Sequence, residues 1–577
     1  MVQWLAMRWR LQEIDCLPEP RPAGGPGRAS RHQPFMLSRT VRSTLAYVLL
    51  AGALAASMAC QARGESDDAR EFDLIVQGGR VYDGHSDAMK PADVAIAGDR
   101  IAAVGDLGTA SASLVIDARG KLVTPGFIDV HSHAGESLTR APLNQAQALI
   151  AQGVTTIVIN PDGGGPVDLA SQRAELEAAS PGVNVIPLIG HGAVRSAVLG
   201  MSDRAPTAQE LERMQGLVRQ AMEEGAFGLS SGLFYAPGSY ATTDEVIALM
   251  RVVAEHGGVH SSHIRDEDSY SVGLVSAVAE IIQIAEGTGT TGIVSHMKAL
   301  GPESWGKAAA CIEQIAAARE RGVRLFADQY PYEASSTSLM GALVPRWAQA
   351  GGREALLNRL RAPDTRARLL VEVRENIQRR GGPSSLVIAA FAPDHGLEGQ
   401  TLEEIAREQK ASAEETALNL VEQGNASVVS FNMSMDDIDQ IMRQPWTMTS
   451  SDGGLTLPGV GKPHPRNNGA FPRKLALFVR EKKTVTLEAA LRSMTALPAE
   501  VFGLSDRGVL RKGAAADVLV FDPTAVRDRA TYEDPHQLAD GMSAVIVNGV
   551  VALERGEVTG AVAGKVLRAT AARNESE

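Results

Sequence analysis

Hydrophobic positions along the chain follow two rhythms. From Phe72 to Leu122, short runs alternate apolar and polar residues between turns (DLIVQGGRVYDG, ADVAIAGDRIAAVG, LVIDARGKLV), and ADVLVFDP and MSAVIVNGVVALERGEV repeat the pattern near the other end. That is the period of half-buried strands. Strand-rich flanks around a long middle predict one small discontinuous β-domain built from both chain ends, residues 72–125 and 501–570. In the middle, residues 126–500, continuous apolar runs alternate with helix-like segments, the pattern of a parallel α/β core. Eight runs read as strands: FIDVH (127–131), TTIVI (155–159), NVIPLI (184–189), AFGLS (226–230), GVHSSH (258–263), GIVSH (292–296), VRLFAD (323–328) and WTMTS (446–450). Eight such units predict a TIM-type (β/α)8 barrel, with reactive residues at the strand C-terminal ends. The gap before the last run is too long for one helix, so residues from about 340 to 430 read as an insertion. A two-domain doubly wound fold is the alternative. Within the insertion, TLEEIAREQKASAEETALNLVEQG reads as a scaffold helix with a solvated charged face.

The first 60 residues follow neither rhythm. Residues 44–59, TLAYVLLAGALAASMA, form an apolar run behind Arg39 and Arg42 that ends in small residues before Cys60. This is the order of a secretory signal, and the run is short for a membrane span. Residues 1–35, rich in Pro and Arg, read as an upstream extension, with Met36 as the initiator. Cys60 resembles the lipidated cysteine of a bacterial lipoprotein, which would attach the chain to a membrane; Ser57 departs from the usual Leu and leaves simple cleavage as the rival. Either case predicts an exported chain, periplasmic or lipid-anchored to the cell envelope.

Composition narrows the chemistry. Of 577 residues, 68 are acidic and 56 basic, and the net charge of -12 leaves no broad basic surface for nucleic acid. Three cysteines, Cys16, Cys60 and Cys311, support neither a disulfide framework nor a thiolate cluster. Cys311, in KAAACIEQIAAARERG, reads as a packed small hydrophobe. Metal chemistry must therefore rest on His and carboxylate.

The first barrel run ends in His131-Ser132-His133, and alternate residues of a strand share a face, so both rings can converge on one ion. His263 and His296 close two further runs, and Asp452 follows WTMTSS. Four histidines and an acid at the ends of separate strands would face one barrel mouth. Such donors suit a borderline divalent ion, zinc first, as one or two ions. An open position on the ion would acidify bound water enough to attack an amide carbonyl. Asp452 is the expected catalytic residue, relaying the water's proton to the departing nitrogen; the plainer alternative is a helix cap before Gly453-Gly454. His191, at the end of the third run, is left outside the metal set.

The run TPGFIDVHSH resembles the first-strand signature of the amidohydrolase superfamily. GLSSGLFYAPGSYATTDEV, SHIRDED, SHMKALG, DQYPYEASSTSL, SSDGG, HPRNNGAFPRKL and RGVLRKGAAADVLVFDP are similar, in order, to the N-acyl-D-amino-acid deacylase (D-aminoacylase) family, from about Phe72 to Arg568. The resemblance implies zinc-assisted hydrolysis of a small-molecule substrate, an N-acyl-D-amino acid or a short D-terminal peptide. It makes His263 and His296 ligands of a tightly held zinc, His131 and His133 ligands of a second site, and Asp452 the acid/base. The family usually presents a cysteine ligand after strand two, where this chain reads GVTTIVINPDGGG, so Asp162 stands in its place as an expected anionic ligand. Turn formation by Pro161-Asp162-Gly163 is the rival role. For the substrate carboxylate, motif position nominates Lys298, Tyr330, Ser336 and Arg466, with Arg265 as a further candidate. A cyclic-amide hydrolase or dipeptidase would share the metal ligands, but many of these carry a carboxylated Lys after strand four, and AFGLSSGLF has none. A non-catalytic exported metal-binding lipoprotein is the reading from another class.

Overall fold

The eight runs form a ring of parallel strands: β1 (Phe127–Asp129), β2 (Val154–Ile159), β3 (Asn184–Pro187, resuming as Ile189–Gly190), β4 (Gly228–Gly232), β5 (Val259–His263), β6 (Thr291–Val294), β7 (Leu325–Gln329) and β8 (Thr447–Thr449). β1, β2 and β3 pair in order, and the second piece of β3 begins the ladder that runs through β4, β5, β6 and β7 to β8. The ring closes just beyond β1 and β8, where Ser132 bridges Gly453 and the Asp452 amide donates to the His131 carbonyl at 2.9 Å. In this computed structural model, residues 71–86 and 88–569 are described. The apolar run 44–59, Cys16 and Cys60 lie outside the described residues. No described helix is long and apolar enough to cross a membrane.

Every residue of β2, β4, β5, β6 and β7 is buried, because the inner face meets the barrel core and the outer face meets helices. β4 and β5 are rich in Ser and His, and part of their interior is a hydrogen-bonded polar layer: Ser231 Oγ lies 2.8 Å from both His260 Nε2 and Ser262 Oγ. Outside, the helix Ala308–Glu320 buries Cys311 completely as a free thiol.

Between β7 and β8 the chain makes a separate antiparallel sheet, in which Ser427–Phe431 lies between Ala334–Ser338 and Leu386–Ala390. This extra layer begins at Ala334, ahead of residue 340. Leu343, Leu369, Ile388 and Val428 belong to its own core. The segment read as one scaffold helix is two, Leu402–Gln409 and Ala413–Gln423. Lys410 turns left-handed at φ 52° and ends the first, and the Thr401 and Ser412 side chains cap the two starts separately.

The strands of the two chain ends join in one nine-stranded sheet. Leu122–Pro125 is the seam, parallel to Arg80–Val81 on one side and antiparallel to Val518–Phe521 on the other. Leu74, Val76, Val518 and Ile546 pack together behind it.

Candidate metal centre

At the mouth of the ring, six side chains from just beyond β1, β2, β6 and β8 and from the end of β5 meet. Asp162 Oδ1 lies 3.4 Å from His131 Nε2, 3.4 Å from His296 Nε2 and 3.8 Å from His263 Nδ1, and Asp162 Oδ2 lies 3.5 Å from His133 Nε2. Asp452 Oδ1 sits 3.0 Å from His133 Nε2 and 3.5 Å from His131 Nε2. His263 Nδ1 and His296 Nε2 are 2.9 Å apart. Two groups have ligand atoms within 4.8 Å of one another, His131, His133, Asp162 and Asp452, and Asp162, His263 and His296, with Asp162 common to both. All but His133 and Asp162 are buried, and the His133 side chain is 44% exposed, at the outer edge.

The backbone is bent to achieve this. Asp162 (φ 54°), His296 (φ 36°) and Asp452 (φ 49°) all adopt left-handed conformations. Such backbone costs about 1–3 kcal/mol per non-glycine residue and concentrates at functional sites. The Asp162 turn rests on glycine: a Cβ at Gly232 of β4 would stand 2.1 Å from the Asp162 carbonyl oxygen. Ser230 pins the same turn, accepting from the Gly163 amide at 3.1 Å and donating to the Asn160 carbonyl at 2.5 Å.

Three carboxylates that sequence reasoning missed hold the frame. Asp129 accepts from the amides of His131 (3.2 Å) and Ser451 (2.9 Å) and from Ser451 Oγ (2.5 Å), tying β1 to β8. Asp328 accepts from the His296 amide at 2.9 Å and from Ser450 Oγ at 2.6 Å. Glu267, buried, reaches Lys298 Nζ at 2.5 Å and His296 Nδ1 at 3.2 Å. Its only signal in the sequence is its place four residues after His263.

The donor set fits a divalent metal. Both ring nitrogens of His131, Asp162 Oδ1 and His263 Nε2 are buried without a hydrogen-bond partner among the described residues. Unmet groups of this kind cost about 1–3 kcal/mol each, which ligation would offset. Burial opposes ionisation of Asp162 and Asp452, yet His131 beside the first and Arg466 beside the second hold both carboxyls well below the usual range. Two ionised carboxylates among imidazoles suit a borderline cation such as zinc.

Four of the five candidates for the substrate carboxylate lie around this cluster. Arg466, buried, places Nη1 2.7 Å from Asp452 Oδ2 and leaves Nε unpartnered among the described residues. The buried Tyr330 ring faces both Arg466, 4.6 Å from its centre, and Lys298, at 5.7 Å. Ser336 is linked through its carbonyl, 3.5 Å from Arg466 Nη2. Arg265 is the correction. Beyond His263 the chain leaves the strand, and the Arg265 guanidinium turns onto the helix Leu274–Thr288, committed to Glu280 by bonds of 2.9 and 2.7 Å. His191 is likewise engaged elsewhere, 3.0 Å from Glu245.

Known proteins share this arrangement of chain. The amidohydrolase family matches residues 114–553. An N-acyl-D-glutamate deacylase of Alcaligenes xylosoxydans xylosoxydans is 36% identical over 501 residues, covering 83% of this chain and 93% of that protein. A D-aminoacylase of the same organism is 35% identical over 531 residues, covering 88% and 99%. In three dimensions, the N-acyl-D-glutamate deacylase of Bordetella bronchiseptica, solved with zinc and a phosphonate mimic of the tetrahedral intermediate, superposes with a TM-score of 0.74 at 35% identity, covering 87% of this chain and 100% of that one. The chain belongs to the amidohydrolase family and, within it, to the N-acyl-D-amino-acid deacylases.

Proposed function

We propose that the protein hydrolyses N-acyl-D-amino acids, releasing a D-amino acid and a carboxylic acid. The observation that carries this reading is Asp162, one carboxylate shared by two ligand groups with the ionised Asp452 beside it, in a chain of the deacylase family. Asp162, His263 and His296 would hold one zinc ion, and His131 and His133 would hold a second. Bound zinc supplies Lewis-acid polarisation of the amide carbonyl and acidification of water. Asp452 accepts a proton from the attacking water and delivers it to the departing nitrogen as the C–N bond breaks. Its contact with Arg466 fixes the carboxylate and keeps it ionised between turnovers. Arg466, Tyr330, Lys298 and Ser336 are proposed to hold the substrate carboxylate, with the unpartnered Arg466 Nε as the free donor.

Glu267 orients two of these groups at once. A neutral imidazole ligating through Nε2 would carry its proton on Nδ1; Lys298 Nζ, itself only a donor, lies 2.7 Å from that nitrogen, and Glu267 at 3.2 Å is the acceptor the proton would take once the lysine turns wholly onto the carboxylate. The same carboxylate balances the Lys298 charge. The cyclic-amide alternative is not favoured, since β4 and the turn after it, GLSSGLF, hold no lysine to carboxylate.

Amine release from N-acetyl-D-amino acids by the zinc-loaded protein tests the assignment. Asp452→Asn should lower kcat at least 100-fold, within the range proton transfer commonly contributes, while bound zinc stays within twofold. Unchanged kcat would remove Asp452 from its role. We also propose that the chain is exported, on the strength of the run 44–59 behind Arg39 and Arg42. Intact mass of the cell-derived protein tests this: an acylated Cys60 or an N-terminus close to it supports export, and retention of residues 44–59 contradicts it.

A further inference from the structure

Beside β8 lies a cavity of about 400 Å3 lined by Thr447, the first residue of the strand, and by Lys474, whose ammonium reaches Thr449 at the strand's last position. Its charged lining is Arg319, Arg443, Lys474, Arg492 and Glu500, four cations against one acid. Glu500 is already paired with Arg492 at 3.2 Å. Among the described lining residues no second acid balances the other three cations.

Lys474 is the buried cation of this lining. It is 3% exposed and starts a π-helical segment, Lys474–Glu481, directly after a helix with Pro472 inside it. Wide helical turns of this kind are rare and recur at functional sites. Nζ donates to Thr449 Oγ1 and Ser493 Oγ, each at 2.8 Å. Both acceptors are neutral. Ser493 spends its own proton on the Ala490 carbonyl at 2.7 Å, so the lysine must be the donor. No carboxylate among the described residues pairs with Nζ, and burial alone pushes the ammonium down to about 7. A buried cation without a counter-charge is costly, and one placed against a cavity is relieved by an anion inside it. Arg443, exposed at the cavity rim, adds a second cation with no ion pair among the described residues.

We propose that this cavity binds a small oxyanion of the carboxylate or phosphate class through Lys474 and Arg443, with Arg319 and Arg492 completing a positive wall. The proposal stands independently of the reaction assigned to the metal centre.

Calorimetric titration of the metal-loaded full chain with inorganic phosphate and, separately, with sodium acetate, both at constant ionic strength, distinguishes the two sources. Saturable binding of at least one ion is expected. It should weaken at least tenfold in Arg443→Ala, an exposed change that leaves the fold in place, and vanish in Lys474→Met, while amine release by both variants without added anion stays within twofold of the parent. Failure of both ions to bind would overturn the proposal. So would undiminished binding in Arg443→Ala, whether or not Lys474→Met folds, because that places the anion elsewhere, the metal centre included.

Discussion

Replacing Glu267 with Gln separates the metal centre from the fold that carries it. The carboxylate is 4% exposed and takes Lys298 Nζ at 2.5 Å and His296 Nδ1 at 3.2 Å. Glutamine keeps the shape and removes the charge. Carboxylates that orient a ligating histidine are typically worth 10–100-fold in metal affinity, or about 1.4–2.8 kcal/mol. Breaking a buried ion pair from one side costs about 3–5 kcal/mol, and the lower end applies here because the amide oxygen still accepts from Lys298. Zinc titration of chelator-stripped protein by calorimetry reads the first effect, and urea unfolding of the same stripped sample reads the second. Zinc affinity within twofold of the parent, alongside a stability loss of about 3 kcal/mol, would show that Glu267 only neutralises Lys298, and the orientation argument would fail.

Gly232→Ala should push the Asp162 turn away, since the new methyl meets the Asp162 carbonyl at 2.1 Å; bound metal by elemental analysis should fall, with β4 still folded by circular dichroism. Asp162→Cys should raise the preference for zinc over manganese at least tenfold in competition dialysis, because a thiolate is the softer ligand. Lys474 makes a pH prediction in anion-free buffer. Its folded value of about 7 lies below the ordinary 10.5, so between those values the unfolded chain binds the extra proton and stability rises with pH. Relative to Lys474→Met, the parent should gain roughly 3–5 kcal/mol from pH 7 to pH 10; parallel urea-unfolding curves across that range would refute it.

The barrel was legible because each strand, buried on both faces, appears as a short dense run, and because metal-binding side chains must sit where such runs end. His131, His263, His296 and Asp452 follow from that rule alone. Asp162 does not, because it stands in a Pro-Asp-Gly turn of ordinary loop composition, and only the family comparison singles it out. Glu267 and Arg265 share one charged stretch, HIRDED, and sequence spacing could not say that one turns inward under His296 while the other turns outward to Glu280. The break at Lys410 was equally hidden. A lysine in left-handed backbone has no signature of its own, and the helical period runs through it.

The central claim is tested most directly by one sample. Purified protein should be analysed for bound metal and assayed in parallel on paired N-acetyl-D- and N-acetyl-L-amino acids. The account predicts zinc in the protein and amine release from the D-enantiomers, lost on chelation and restored by zinc. A zinc-loaded protein that cleaves neither enantiomer, or prefers the L-form, would contradict it.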